Sequence, residues 1–439
     1  MIETENKILS IISNNKSAKP VGITSVCSAN TYVIKSALLN GKKYNQKVLI
    51  ESTSNQVDQY GGYTGITPMQ FRNLVYKIAN DCSFPAENIL LGGDHLGPNR
   101  WQNEDSKSAM QKAKEQIAAY ISAGYTKIHL DASMKCADDG NLDEPLSPQI
   151  VAERSAVLCE IAEETFNRDP INSEKPVYII GSDVPPPGGS KTYDSHIKIT
   201  TVEEVEATID FTKREFDNKN IIDAWDRVIA VVVQPGVEFG DSSVFDYDTE
   251  KAKQLTEYIN KKSNLVYEAH STDYQKKSSL RQMVKDHFAI LKVGPWLTFA
   301  FREALFALAI IEKEFLSENK SVQLSNLIEV TEQQMLTEPK YWLKYYSGDA
   351  NEKKFKRKYS LSDRIRYYWT ESAVNESIKK LLINLNLHTI PEALLSQFLP
   401  NQYSAVINGE ISNKPDDLIN HKISEILEIY NYATFRGEH

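Results

Sequence analysis

The chain has 439 residues, of which 41% are apolar and 25% charged, with a formal charge of −9. This balance excludes large-scale disorder, and the mixing of acidic and basic residues along the chain disfavours a nucleic-acid role. The length suits a large barrel plus an extension. The four cysteines, Cys27, Cys82, Cys136 and Cys159, have no metal spacing, so reduced thiols in a cytoplasm are expected. The opening MIETENKILS lacks the basic-then-apolar pattern of a signal peptide. The apolar stretch 288–311 is broken by Lys292, Arg302 and Glu303, so no membrane span is expected.

In chain order, eight short apolar runs read as strands: PVGITSVCS from Pro20, KVLIEST from Lys47, NILLGGDH from Asn88, KIHLDAS from Lys127, KPVYIIGSDVP from Lys175, RVIAVVVQPG from Arg227, LVYEAHSTD from Leu265 and FAILKVGP from Phe288. Amphipathic helix patterns lie between them. Thr67-Pro68 supplies an N-cap and a proline at N1 ahead of Phe71, Leu74, Val75 and Ile78, and Ser147-Pro148 does the same ahead of Val151, Leu158 and Ile161. Thr201 and Glu204 form a capping box, and Gly124 closes the helix after the third strand. Eight βα units with near-continuous apolar strands predict a (β/α)8 TIM barrel over residues 1–316. A doubly wound sheet would call for GxGxxG after the first strand, where Ser25-Val26-Cys27-Ser28-Ala29-Asn30 has none. Residues 317–439 read as a helical extension packed on the barrel, with the basic run Lys353–Lys358 on a solvated helix end or loop.

Side chains at the C-terminal ends of barrel strands converge on one face. Here those ends carry Asn30, Glu51, Asp94-His95, His129 and Asp131, Asp183, Gln234 and Glu238, Glu268, His270 and Asp273, and Lys292. Imidazole and carboxylate together suit a divalent cation such as zinc, manganese or nickel, which would polarise a carbonyl. His95, His270 and Glu238 are the ligand candidates; Asp94, Asp131 and Glu238 are the acid/base candidates. Asn30, Asp183, Gln234, Ser271, Asp273 and Lys292 are the substrate-binding candidates. Because alternate strand residues face opposite ways, Asp94 and His95 share a site only where the chain has left the strand. His129, between Ile128 and Leu130, is expected to pack against a helix, and Glu51 and Glu268 to pair inside the barrel with a lysine such as Lys292. The run Pro185–Gly189 reads as a stiff loop over the mouth.

The stretches LLGGDHLGPNRWQ, KIHLDASM, IVAER, YIIGSDVPPPGG, VVVQPGVEFGD, YEAHSTDYQ, DHFAILKVGPWLTFAFREALFALA and YSLSDRIRYYW together resemble the Z-type subunit of class II D-tagatose-1,6-bisphosphate aldolases, the GatZ/KbaZ family. The resemblance implies a barrel without aldolase activity of its own. Such a barrel stabilises, in a chaperone-like way, a separate metal-bearing Y-type subunit that cleaves tagatose 1,6-bisphosphate to dihydroxyacetone phosphate and glyceraldehyde 3-phosphate. An oligomer is expected. Relatives are also linked to metal-dependent 4-epimerisation of ketoses or their phosphates, which is the alternative. Asp94-His95 matches the strand-three Asp-His of the catalytic class II enzymes, where the aspartate is acid/base and the histidine binds zinc. Their further zinc histidines come from strands six and seven; strand seven here offers His270, but strand six offers only Gln234 and Glu238. Ser271-Thr272-Asp273-Tyr274 stands where those enzymes carry a glycine-rich phosphate loop, and Asp183 replaces a family glutamate.

Overall fold

The computed structural model describes residues 6–17, 19–140, 144–168, 171, 174–181 and 197–435. Its centre is a closed barrel of eight parallel strands: β1 (Ile23–Cys27), β2 (Val48–Thr53), β3 (Ile89–Leu96), β4 (Lys127–Leu130), β5 (Val177–Ile180), β6 (Val228–Val233), β9 (Val266–Ala269) and β10 (Phe288–Val293). They follow one another around the barrel in chain order, and β10 closes on β1. The small antiparallel hairpin of β7 (Glu238–Phe239) and β8 (Val244–Phe245) follows β6.

The barrel helices are α2 (Thr31–Lys43), α3 (Pro68–Asp81), α4 (Ser106–Ser122), α5 (Pro148–Arg168), α6 (Val202–Asn218) with the single turn α7 (Ile222–Trp225), α8 (Thr249–Asn260), α9 (Lys277–Lys285) and α10 (Pro295–Leu316). Local chemistry sets their ends. Thr67 and Gln70 form a reciprocal capping box ahead of α3, as do Thr201 and Glu204 ahead of α6. Gly124, at φ 82°, takes the left-handed turn that ends α4.

A short helix, α1 (Leu9–Asn15), plugs the N-terminal end of the barrel. Ile8 and Ile12 join the inward-facing Ile23, Leu49, Leu90, Val177, Ile229, Val266 and Ile290 in one apolar layer. Asn6 donates from Nδ2 to the carbonyls of Thr126 and Lys175, and Asn15 to those of Val21 and Val284, so carbonyls at the barrel floor find partners.

Beyond Leu316 the described chain is helical: α11 (Leu327–Thr337), α12 (Ala350–Tyr359), α13 (Ser372–Leu387), α14 (Glu392–Phe398), α15 (Pro400–Ile407) and α16 (Pro415–Thr434), joined by short 3-10 turns. The last helix returns to the barrel wall. It packs on α2, α9, α10 and β1, and Gly22 N–H donates to Thr434 O at 2.8 Å. The wall place between α9 and α2 is therefore filled by the end of the chain, with α10 sandwiched between α16 and α11, α13 and α14. In α12, Lys356 and Arg357 of the basic run pair with Asp241 and Glu332. No described helix is long and apolar enough to cross a membrane.

Candidate functional site

Two-residue alternation changes the barrel interior from apolar to charged within single strands. Leu49 is followed inward by Glu51, Val266 by Glu268, and Ile290 by Lys292, while Ser52 on the outer face bonds the Tyr120 and Tyr125 hydroxyls. Lys127 Nζ lies 2.7 Å from Glu51 Oε1 and 2.6 Å from Glu268 Oε2. Lys292 Nζ lies 2.7 Å from Glu51 Oε2, 2.8 Å from Asp94 Oδ1 and 3.5 Å from Glu268 Oε1. Three buried carboxylates are thus bridged by two ammonium groups. Each ion costs several kcal/mol to bury, so the arrangement persists only through this pairing. The pairing of Glu51 and Glu268 with Lys292 follows the sequence reading; Lys127 was not foreseen in it.

Asp94 and His95 both belong to β3, so the chain has not left the strand as expected. It bulges instead. His95 adopts φ 51°, and the β3–β4 register jumps from Gly93↔Ile128 to Leu96↔Leu130, so that two residues oppose His129. Two glycines permit this. A Cβ at Gly92 would meet the Glu51 side chain at 2.7 Å, and one at Gly97 would sit 1.8 Å from Asp131 O.

His129 does not pack against a helix but turns into the barrel, because Lys127, His129 and Asp131 share one face while Ile128 and Leu130 take the helix side. The rings of His95, His129 and His270 lie together, with centroids 4.8 Å apart for His95–His270 and 5.3 Å for the other two pairs. Carboxylates hold each of them. His95 Nδ1 is 2.7 Å from Asp131 Oδ2, His129 Nδ1 is 2.9 Å from Asp94 Oδ1, and His270 Nε2 is 3.1 Å from Glu268 Oε1. His129 Nε2 is buried with no hydrogen-bond partner.

Charge states follow from the neighbours. Burial alone would raise the Asp94 carboxyl, but His95, Lys292 and the bond from His129 hold it well below the carboxylate range. Burial opposes protonation of His95, yet Asp94 and Asp131 push its pKa up. His270 is driven by burial down to about 3 and is a neutral ring. Lys292 stays charged: burial disfavours the ammonium, but Asp94, Cys27, Glu268 and Glu51 raise its pKa well above the ordinary value.

These residues fit a divalent cation. Asp94, His129, Glu268 and His270 each offer one donor atom, all within 4.8 Å of one another. A neutral His270 ring, an unpartnered His129 Nε2 and an excess of carboxylate over ammonium are what such an ion requires. Of the residues read from sequence as ligands, His270 belongs to this group. His95 borders it, with Nε2 3.6 Å from Asp94 Oδ2. Glu238 lies outside it, on β7, where Oε1 accepts the Phe239 N–H; burial pushes its carboxyl up to about 7. His129 and Glu268, absent from the ligand candidates read from sequence, join the group; for His129 the i, i+2 polar spacing of Lys127, His129 and Asp131 carries the signal.

Above the cluster a cavity is lined by Asn30, Asp94, His95, His270, Ser271, Asp273 and Lys292, and by Arg366, Tyr367, Trp369 and Thr370 of the extension. Asn30 caps α2, its Oδ1 accepting from Tyr32 and Val33. Asp273 Oδ1 accepts the N–H groups of Gly294 and Trp296 at the start of α10. Asp131 and Gln234 are not among the lining residues: Asp131 holds His95 and the Ser133 turn, and Gln234 Oε1 accepts Gly236 N–H. Asp183 and Pro185–Gly189 lie outside the described residues.

A family model described as D-tagatose-1,6-bisphosphate aldolase subunit GatZ/KbaZ-like matches residues 8–435. The D-tagatose-1,6-bisphosphate aldolase subunit GatZ of Escherichia coli O1:K1 / APEC is 48% identical over 427 residues, covering 96% of this chain and 99% of that protein. The subunit of the same name from Salmonella paratyphi B (strain ATCC BAA-1250 / SPB7) is 47% identical over 423 residues, covering 96% and 98%. Among solved structures, one titled a "probable tagatose 6 phosphate kinase" from Sinorhizobium meliloti 1021 superposes with a TM-score of 0.85 at 42% identity, covering 94% of this chain and 100% of that one. With the barrel, the strand-end cluster and near-complete coverage in agreement, the chain belongs to the GatZ/KbaZ-like family of D-tagatose-1,6-bisphosphate aldolase subunits.

Proposed function

We propose that the chain is the non-catalytic, stabilising subunit of a D-tagatose-1,6-bisphosphate aldolase and works with a separate catalytic Y-type subunit. The observation that supports this reading is the chain's match to a protein named D-tagatose-1,6-bisphosphate aldolase subunit GatZ over 99% of that protein's length. Co-expression tests it. A Y-type aldolase produced with this chain should give more soluble activity than the aldolase produced alone, and equal activity in both preparations rejects the reading.

A second reading, a metal-dependent ketose or ketose-phosphate 4-epimerase, is favoured by the cluster of Asp94, His129, Glu268 and His270 and its unpartnered His129 Nε2. His129, Glu268 and His270 would hold the cation, with Asp94 beside it left for proton transfer, and the ion when bound would polarise the ketose carbonyl. The chain's own groups handle the proton. Ionised Asp94 accepts it from the C4 hydroxyl as the C3–C4 bond breaks, and returns it after the aldehyde has turned and the bond has re-formed. His95, oriented by Asp131 and facing Asp94, is placed to share that proton. Protein purified alone and supplied with zinc, manganese or nickel should then interconvert fructose and tagatose or their phosphates. Unchanged sugars under all three metals exclude the reading.

A further inference from the structure

Phosphate in a TIM barrel usually rests at a helix N-terminus among the loops after strands seven and eight. In this chain that place is filled from within. Asp273 Oδ1 accepts the Gly294 N–H at 3.1 Å and the Trp296 N–H at 2.8 Å, so an internal carboxylate already takes the donors at the start of α10. The other helix that begins at the cavity, α2, is capped by Asn30 in the same way. Lys292, on the floor, is engaged by Asp94 and Glu51. Among the described residues, an anion entering the cavity therefore finds neither of these helix ends open nor an unpaired lysine.

Arg366 is different. It reaches the cavity from the extension. Its Nη1 donates to the carbonyls of Ser362 at 2.5 Å and Asp363 at 3.0 Å, and its Nη2 to the Tyr367 hydroxyl at 3.0 Å. The carboxylates of Asp363 and Asp273 feel its charge, yet among the described residues none forms an ion pair with it. Neutral acceptors thus fix the guanidinium in place while leaving its charge and part of its five-donor fork unspent.

We infer that Arg366, beside the Tyr367 hydroxyl, is the anion subsite that receives the phosphate of a ketose phosphate in this cavity. The inference rests on the second reading above, in which the cavity takes a ketose phosphate, here called the sugar-phosphate reading. It moves the phosphate anchor from the strand-seven and strand-eight loops to the helical extension, which gives that extension a part in ligand selection. A guanidinium already oriented by the backbone loses little freedom on binding a phosphate.

The test is calorimetric titration of the full chain with fructose 6-phosphate, inorganic phosphate and fructose. Arg366→Gln should weaken fructose 6-phosphate and inorganic phosphate by about tenfold or more and leave fructose unchanged. Arg366→Lys should fall between. If Arg366→Gln does not fold, Tyr367→Phe should weaken the phosphorylated ligand by about threefold through the lost orientation of Nη2. Wild-type affinity for fructose 6-phosphate in these variants overturns the subsite and leaves the sugar-phosphate reading standing, as does an equal loss for fructose. Failure of the wild-type chain to bind either phosphate overturns both.

Discussion

The two halves of the barrel interior are equally buried and chemically opposite. In the lower half, Ile23, Leu49, Leu90, Val177 and Val266 meet the plug helix α1; two residues further along several of the same strands come Glu51, Gly92 and Glu268. Packing alone is served by the lower half, where apolar burial contributes about 25 cal/mol per Å². The upper half gives up that gain and adds desolvation, recovered only in part by pairing. A barrel that needed only to be stable would continue its lower layer upward, so the charged layer is not explained by packing.

Breaking the pairing should give the largest effect. Lys127→Ala leaves Glu51 and Glu268 short of a counter-ion in a fully buried place, and denaturant unfolding should show a loss of about 3–5 kcal/mol. A loss below about 1 kcal/mol would mean that water enters the upper layer. Next comes the metal. His270→Ala should weaken zinc, measured by competition with a chelator, by about 100-fold or more, whereas His287→Ala at the lower end should leave zinc affinity unchanged. Equal effects of the two would erase the chemical distinction between the ends.

A lower-layer truncation sharpens the same contrast from the other side. Ile12→Ala empties part of the plug that closes the barrel floor and should cost about 2–4 kcal/mol of unfolding free energy. Zinc affinity should not change, since no donor of the cluster touches Ile12. Altered zinc binding in this variant would show that the plug sets the geometry at the far end.

The lower layer was legible in the sequence and the upper one only in part, for reasons that particular residues make plain. Strand positions follow from runs such as RVIAVVV and FAILKV, whose apolar character does not depend on distant partners. The capping boxes at Thr67 and Thr201 are local as well. The bulge at His95 is not: it depends on a backbone turn into the left-handed region, permitted by glycines whose neighbours are Glu51 on β2 and Asp131 just past β4. The face of His129 is obscured by its apolar neighbours Ile128 and Leu130, and only its i, i+2 polar partners Lys127 and Asp131 point to the inward one. The role of α1 and the return of α16 to the wall are long-range contacts, invisible to any local pattern.

The smallest expected effect is a gain, and it sits where the extension meets the mouth. Asp363 is buried at φ 47°, its Oδ2 accepting from Thr298 Oγ1 at 2.5 Å and its Oδ1 without a partner. Burial raises its carboxyl to about 7, against the pull of the Thr298 bond and the charges of Arg366 and Arg302. Because the folded value lies above the unfolded one, the folded state holds the proton more tightly. Asp363's contribution to stability is complete below about pH 4 and is lost as pH rises through about 7. Asparagine keeps an acceptor for Thr298 and tolerates the left-handed backbone, but has no charge to bury. The advantage of Asp363→Asn over wild type should therefore widen by on the order of 2 kcal/mol between pH 5 and pH 8, read as a rise in its unfolding midpoint relative to wild type. An advantage that does not widen would mean that Arg302 and Arg366 already neutralise the carboxylate. Arg366 would then have less charge left for an anion, so this stability measurement also bears on the proposed phosphate subsite.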